Sequence, residues 1–134
     1  MTAEGGLAIC LVNKTGGNSV KGEAVNADTS ADKAFKQSAI DAYDVIGAVY
    51  EAGIAADGLC WVVISGQADV LLKDGTTSTR GNWLGMSDTA GRFNASGGVP
   101  SPPTDAQHFR ECGHVLETKG SGTSVLARSA LHFN

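Results

Sequence analysis

Short runs of apolar residues, each ended by glycine, asparagine, aspartate or serine, recur along the whole chain. The run at residues 59–65 is the strongest, because it is rich in the β-branched and aromatic side chains that strands favour. Residues 67–73 and 125–133 alternate apolar and polar positions, which is the period of a half-buried strand. Asp74 and Gly75 have the composition of a hairpin turn. The pattern predicts an all-β fold of many short strands joined by turns.

The segment of residues 29–43 fits two patterns. Thr29 or Ser30 is a suitable cap for a helix that would present an apolar face. The alternative is a strand around Phe35 followed by a turn at Asp41. Because a helix here would stand alone among predicted strands, we favour the strand.

The chain of 134 residues has the length of one compact domain. We expect residues 19–134 to form a single β domain, with a surface loop rich in proline and glycine at residues 91–105. Residues 1–18 are expected to form an N-terminal arm or an extra strand. Its run at residues 7–12 is apolar on both faces and therefore needs cover on both. We predict that this run forms an interface with another subunit through Leu7, Ile9, Leu11 and Val12.

Two stretches of the sequence resemble each other. Residues 47–51 and 113–117 both have the form Gly-x-Val-x-Glu, 66 positions apart. Upstream, residues 21–25 (Lys-Gly-x-x-Val) resemble residues 80–84 (Arg-Gly-x-x-Leu). The larger spacing in the second copy falls at the loop of residues 91–105, where an insertion costs little. We predict a duplicated strand plan with internal pseudo-two-fold symmetry, each half being too small to fold alone.

Acidic residues outnumber basic ones, which gives a net charge of −4 at pH 7. The 10 lysine and arginine residues are scattered singly along the chain. A protein that neutralises phosphates needs a basic patch, so we expect no nucleic-acid partner. The same acidity disfavours an anionic membrane surface, and no apolar run approaches the length of a transmembrane helix. We expect no membrane partner and no signal peptide.

The cysteine and histidine residues of this chain do not have the spacing of a known metal site or catalytic motif. The three cysteines are too far apart in sequence for a zinc motif, and each lies in an apolar run that predicts a buried thiol. Cys112 and His114 come closest to a reactive pair, because two such positions on one strand share a face. No third group is placed to orient them. We therefore expect no catalytic residue, no metal and no cofactor, and we do not expect an enzyme.

The two tryptophans lie in different sequence contexts. Trp61 lies inside an apolar run, which predicts a position in the core. Trp83 is surrounded by glycine and asparagine, so a core position and an interface position stay open as alternatives. We include Trp83 among the candidate interface residues.

The segments at residues 47–73, 79–81, 90–92 and 108–134 carry a likeness that extends over residues 19–134. They resemble small head proteins of tailed bacteriophages, which act as capsid decoration or cement proteins. The resemblance implies an all-β domain, either a compact barrel or a tulip-like sandwich of short antiparallel strands. Such a domain is often a homotrimer and binds the outside of the capsid shell in the virion. Its partner would be the major capsid protein, and it would stabilise the shell by bridging adjacent subunits. Assembly would take place in the host cytoplasm.

Other functions stay open beside this one. A tail component or a head-fibre base would need the same chemistry and would differ in copy number. A glycan-binding β domain would use Trp83 and the loop at residues 91–105 as a stacking platform. An enzyme is the third alternative, with Cys112 and His114 as its centre.

Overall fold

The computed structural model describes residues 1–95 and 104–133. These residues form a nine-stranded sheet and one short helix. The elements are β1 (Gly6–Asn13), β2 (Ala24–Ala27), β3 (Ala34–Gln37), β4 (Val45–Val49), β5 (Leu59–Leu71), β6 (Trp83–Met86), β7 (Phe93–Asn94), α1 (Asp105–Arg110), β8 (Glu111–Val115) and β9 (Leu126–Leu131). The predicted all-β fold is confirmed. No helix among the described residues has the length and apolar character that crossing a membrane requires.

The first half of the molecule is a closed five-stranded barrel made of β1 to β4 and residues 59–65 of β5. β1 pairs in parallel with β3, and the remaining contacts around the ring, β3–β2, β2–β4, β4–β5 and β5–β1, are antiparallel. β1 accounts for residues 6–13 of the segment predicted as an arm or extra strand. The barrel interior is filled by Val25, Phe35, Val49, Cys60 and Val62.

The second half, made of residues 66–71 of β5 and β6 to β9, repeats this plan. β5 pairs with β9, β9 with β8, β8 with β6 and β6 with β7, all antiparallel. Leu72, directly after β5, bridges Phe93 of β7 in parallel, as β1 contacts β3 in the first half. The register also matches, since Val25 lies opposite Gly47 and Leu84 lies opposite Gly113. The predicted duplication is confirmed.

The repeated Gly-x-Val-x-Glu motif has one structural role in both halves. A Cβ atom on Gly47 would lie 2.3 Å from the carbonyl oxygen of Val63, and one on Gly113 would lie 2.0 Å from that of Ala130. Glycine is therefore required where β4 and β8 cross closely over the next strand. The motif's glutamates accept backbone hydrogen bonds, from Trp61 N to Glu51 Oε1 (3.2 Å) and from Arg128 N to Glu117 Oε2 (2.8 Å).

A β-bulge recurs at the same place in each half. The pairing of β2 with β4 shifts register between Val25 and Asn26, and that of β6 with β8 shifts between Leu84 and Gly85. In the second half Gly85 pairs with Glu111 while Leu84 pairs with Gly113, so Cys112 is the additional residue. Because of this additional residue, two side chains of β8 that are three positions apart can point to the same side of the sheet.

β5 joins the halves, and their packing is not symmetric. Sequence alternation predicted two strands at residues 59–65 and 67–73, but the structure has one strand of 13 residues in which Gly66 adopts a φ of +84°. On the first half, Ala24, Ala48 and Val63 are buried in a core cluster with residues of the second half. The first half therefore has one outer face covered by the rest of the chain.

The structure confirms some of the predictions made for short segments and contradicts others. The strand predicted around Phe35 is β3, and Asp41 adopts the positive φ of a turn, 51°. The hairpin predicted at Asp74 and Gly75 is wrong, because β5 and β6 are not neighbours in the sheet. The loop predicted at residues 91–105 contains β7, and residues 96–103 of it lie outside the described residues.

Helix α1 was missed by the sequence reasoning, although its signal was present. Thr104 Oγ1 accepts a hydrogen bond from Gln107 N (3.2 Å), and Thr104 N donates to Gln107 Oε1 (2.8 Å). This reciprocal pair is a capping box, which the spacing Thr-x-x-Gln encodes.

Candidate functional site

An apolar strip lies on the outer surface of the first half, where β1 and β5 run side by side. Their pairing places Cys10 opposite Trp61 and Val12 opposite Leu59, so the four side chains share one face. Leu59 is 65% exposed and Trp61 is 46% exposed. Cys10 is also exposed, and Val12 is half-buried. We call these four residues the barrel strip.

Of the predicted interface residues of β1, Val12 belongs to the barrel strip, whereas Ile9 and Leu11 lie opposite Val62 and Cys60, on the face of β1 that points into the barrel. Leu7 is 51% exposed and Ile9 is 37% exposed, whereas Leu11 is half-buried against the core of the first half. The neighbouring strands β5 and β3 of the same chain cover part of the apolar surface of β1. The exposed remainder is the surface that a second molecule would have to cover.

Two predictions about burial in this region are wrong. Trp61 was expected in the core and Cys10 as a buried thiol, but both are exposed. The run at residues 59–65 is apolar on both faces, and it is Cys60 and Val62 that point into the barrel. The alternation of a strand then directs Trp61 outwards.

A groove adjoins the barrel strip on the side of the N-terminus. Its volume is about 250 Å³, and it is lined by Met1, Thr2, Ala3, Ala8, Tyr50 and Trp61. The Lys21 ammonium lies 5.6 Å from the centroid of the Tyr50 ring, within cation–π range. Strip and groove together form a mainly apolar surface suited to receiving side chains of another protein.

The equivalent surface of the second half is charged. There Asp69 lies opposite Arg128, at the positions that Cys10 and Trp61 occupy in the first half. Arg128 Nε donates to Asp69 Oδ1 at 2.7 Å. Burial alone would raise the pKa of Asp69, but the hydrogen bond and charge of Arg128, aided by Lys21, outweigh it and hold the pKa below its usual range. The strand plan therefore does not require apolar side chains at the positions of Cys10 and Trp61. The equivalents of Val12 and Leu59 are apolar as well, since Leu71 lies opposite Leu126.

Trp83 lies away from the barrel strip, on β6 of the second half. It is half-buried, and its ring meets that of His114 edge-on, with centroids 6.2 Å apart. In the sheet β6 pairs with β7 and β8, so the structure does not bring Trp83 beside the predicted interface residues of β1. Most of the loop that would complete a glycan platform with Trp83 lies outside the described residues.

Cys112 and His114 do not form the pair that their spacing predicted. The bulge in β8 turns Cys112 into the core, where burial raises the pKa of its thiol to about 12. The Cys112 side chain is therefore protonated at neutral pH. The expectation that Cys112 and His114 share a strand face is wrong, and Glu111 lies beside His114 instead, with Oε1 3.1 Å from Nε2.

No protein-family model matches this sequence, and a search of the curated proteins found no significant match. Among solved structures, the chain is similar to the N-terminal base of the head fibre gp8.5 of bacteriophage phi29. The two share 15% sequence identity and superimpose with a TM-score of 0.59. The alignment covers 94% of this chain and 93% of the phage chain. This likeness concerns the fold, which the two chains share over nearly their whole lengths.

Proposed function

We propose that this chain is a structural protein of a bacteriophage virion that binds the outer surface of the capsid. The observation that carries the proposal is the fold shared with a head-fibre base over 94% of this chain. The exposed barrel strip supports it, because Leu59 and Trp61 are exposed and the second half has an arginine in place of Trp61. Exposed apolar surface of this kind is typical of a protein–protein contact.

In this proposal the barrel strip docks onto the major capsid protein and bridges adjacent capsid subunits. Trp61 is the anchor, since a large aromatic side chain at the centre of a contact often contributes most of the binding energy. A protein that binds the assembled shell but not free subunits stabilises the shell by linkage. No catalytic step forms part of this function.

A contact of standard size buries about 800 Å² on each partner. The chain exposes 6512 Å², so it has surface for the shell and for neighbouring copies of itself. We include a homotrimer in the proposal, and light scattering of the purified protein tests it. A mass of three chains is the expected result, and a monomer at all concentrations contradicts the trimer.

A second form of the proposal is the base of a head fibre, which the fold likeness favours directly. A base holds a fibre at a limited number of positions, whereas a decoration protein covers the shell in many copies. Quantitative mass spectrometry of purified virions separates the two forms by the number of chains per particle. Absence of the chain from purified virions overturns both.

The barrel strip is tested by giving it the residues that the second half has at the equivalent positions. The double variant Cys10→Asp with Trp61→Arg places in the first half the ion pair that the equivalent strands of the second half hold. We expect it to fold and to bind capsid shells at least tenfold more weakly than the unmodified protein, measured by co-sedimentation with shells that lack the protein.

The matched control is Phe109→Ser, which removes an exposed aromatic side chain on α1, outside the barrel strip. The control should bind shells as the unmodified protein does. Equal binding by the double variant would show that the barrel strip is not the attachment surface.

A further inference from the structure

We propose that Glu111, His114 and His132 form a binding site for a divalent transition-metal ion, with zinc as the best match. The inference rests on side chains of the second half and does not depend on the proposed virion function. None of the three residues belongs to the barrel strip.

The distances between the three side chains suit one metal ion. Glu111 Oε1 lies 3.1 Å from His114 Nε2 and 3.3 Å from His132 Nε2. One ligand atom from each residue lies within 4.8 Å of the other two. Zinc bonds of about 2.0–2.1 Å in tetrahedral geometry place neighbouring ligand atoms about 3.3 Å apart. The observed spacing therefore needs little adjustment to receive an ion.

The strand plan assembles the cluster from two neighbouring strands. The bulge at Cys112 brings Glu111 and His114 to the same side of β8 although they are three positions apart. His132 follows β9 directly, and its backbone N donates to Cys112 O at 2.9 Å, which fixes it beside β8. The imidazole rings of the two histidines lie 5.3 Å apart between centroids.

Burial and support also fit a metal site. The Glu111 side chain is 9% exposed, whereas those of His114 and His132 are 38% and 48% exposed. The carboxylate is held inside while the imidazoles border solvent, which leaves a fourth position for water or for a donor from a second molecule. The Trp83 ring packs edge-on against the His114 imidazole.

The first half shows that the fold does not need this cluster. The positions equivalent to Glu111 and His114 hold Val45 and Ala48, in the matching registers of β4 and β8. Val45 and Ala48 are buried in the core shared by the halves. A carboxylate and an imidazole thus replace two core residues on the corresponding face of the second half.

The ligand chemistry selects the class of ion. Two neutral imidazoles with one carboxylate suit zinc and its first-row neighbours nickel and copper. Calcium and magnesium prefer six or more oxygen ligands, or several retained waters, and we expect them not to compete.

The experiment titrates the full chain, freed of metal with a chelator, with zinc chloride in a calorimeter. We expect one ion per chain and no heat of binding with magnesium chloride. Cobalt chloride should give the intense visible absorption bands of a tetrahedral or five-coordinate site. His132→Ala, which changes an exposed side chain, should weaken zinc binding at least tenfold, and Glu111→Gln should do the same.

The matched control is His108→Ala, which removes a histidine of α1 outside the cluster. It should bind zinc with unchanged affinity and stoichiometry. Zinc binding that is absent from the unmodified protein, or that survives in His132→Ala, or that is lost in His108→Ala, overturns the proposal. His132→Ala keeps the test valid if Glu111→Gln fails to fold.

Discussion

The two halves of this molecule pair their strands in the same way but display different side chains. Where the first half exposes Cys10 and Trp61, the second half holds the ion pair of Asp69 and Arg128. Where the second half has His114, the first half has a buried alanine. Since one backbone plan accepts either set, these residues are not dictated by folding. Comparing a repeat with its own copy thus separates what the fold requires from what function has added.

The halves also differ in their surroundings. A Cβ atom on Gly22 would lie 2.7 Å from both Leu126 Cδ2 and Leu71 N, whereas one on the equivalent Gly81 would meet no described atom within 4 Å. The second half covers the first at this point, whereas no described residue covers Gly81 in the second half. The two halves therefore share their order of strand pairing and differ in packing.

The substitutions with the largest expected effect on stability test whether the two halves fold together. Phe35 and Phe93 are equivalent and fully buried, one in each core. Phe35→Ala and Phe93→Ala should each lower the free energy of unfolding by about 3–5 kcal/mol. Because the halves share β5 and a core cluster, both variants should unfold in a single transition in a denaturant titration. Two separate transitions in either variant would show that the halves are independent units.

The substitutions with the next largest expected effect test whether the second half covers the first half at Gly22. Gly22 and Gly81 have φ values of +81° and +88°, so alanine is strained at both, by about 1–2 kcal/mol. Gly22→Ala also forces its methyl group against Leu71 and Leu126, and its total cost should reach about 3 kcal/mol or more. Thermal unfolding of the two variants measures the difference. Equal costs would contradict the covering of the first half by the second.

The substitution with the smallest expected effect tests the ion pair on the surface of the second half. The pKa of Asp69 is lowered, so its stabilising contribution is present above the usual carboxyl pKa and is lost as pH falls through the folded-state value. Asp69→Asn should cost about 1 kcal/mol at pH 7, since the pair with Arg128 is partly exposed. The gap between variant and unmodified protein should shrink in urea titrations below about pH 4.

The control for Asp69 comes from the first half. Cys10→Ala at the equivalent position should change stability by less than about 0.5 kcal/mol, with no dependence on pH between 4 and 7. A pH-independent cost of Asp69→Asn would indicate lost packing rather than a lost ion pair.

The features that could be predicted from the sequence are those that backbone geometry enforces. The all-β fold follows from the apolar alternation, and the duplication from glycines such as Gly47 and Gly113 that close strand contact requires. Alternation reveals which residues share a face but not which face points inwards, which is why Trp61 was misplaced. It also fails at a bulge, which is why Cys112 and His114 were expected together.

The candidate metal ligands illustrate what remained hidden. Glu111 and His132 lie 21 positions apart in sequence. They meet only through the pairing of β8 with β9, and that register cannot be read from either strand alone. The hairpin predicted at Asp74 and Gly75 failed because β5 and β6, which follow each other in sequence, are not neighbours in the sheet.

The long strand β5 limits how this protein can vary in length. Residues 59–65 close the barrel of the first half, and residues 66–71 begin the strand plan of the second half without interruption. Deleting a single residue before Gly66 would exchange inward and outward side chains in one half relative to the other. The two copies hold different surface residues at equivalent positions such as Trp61 and Arg128, but the number of residues in β5 is constrained by both halves at once.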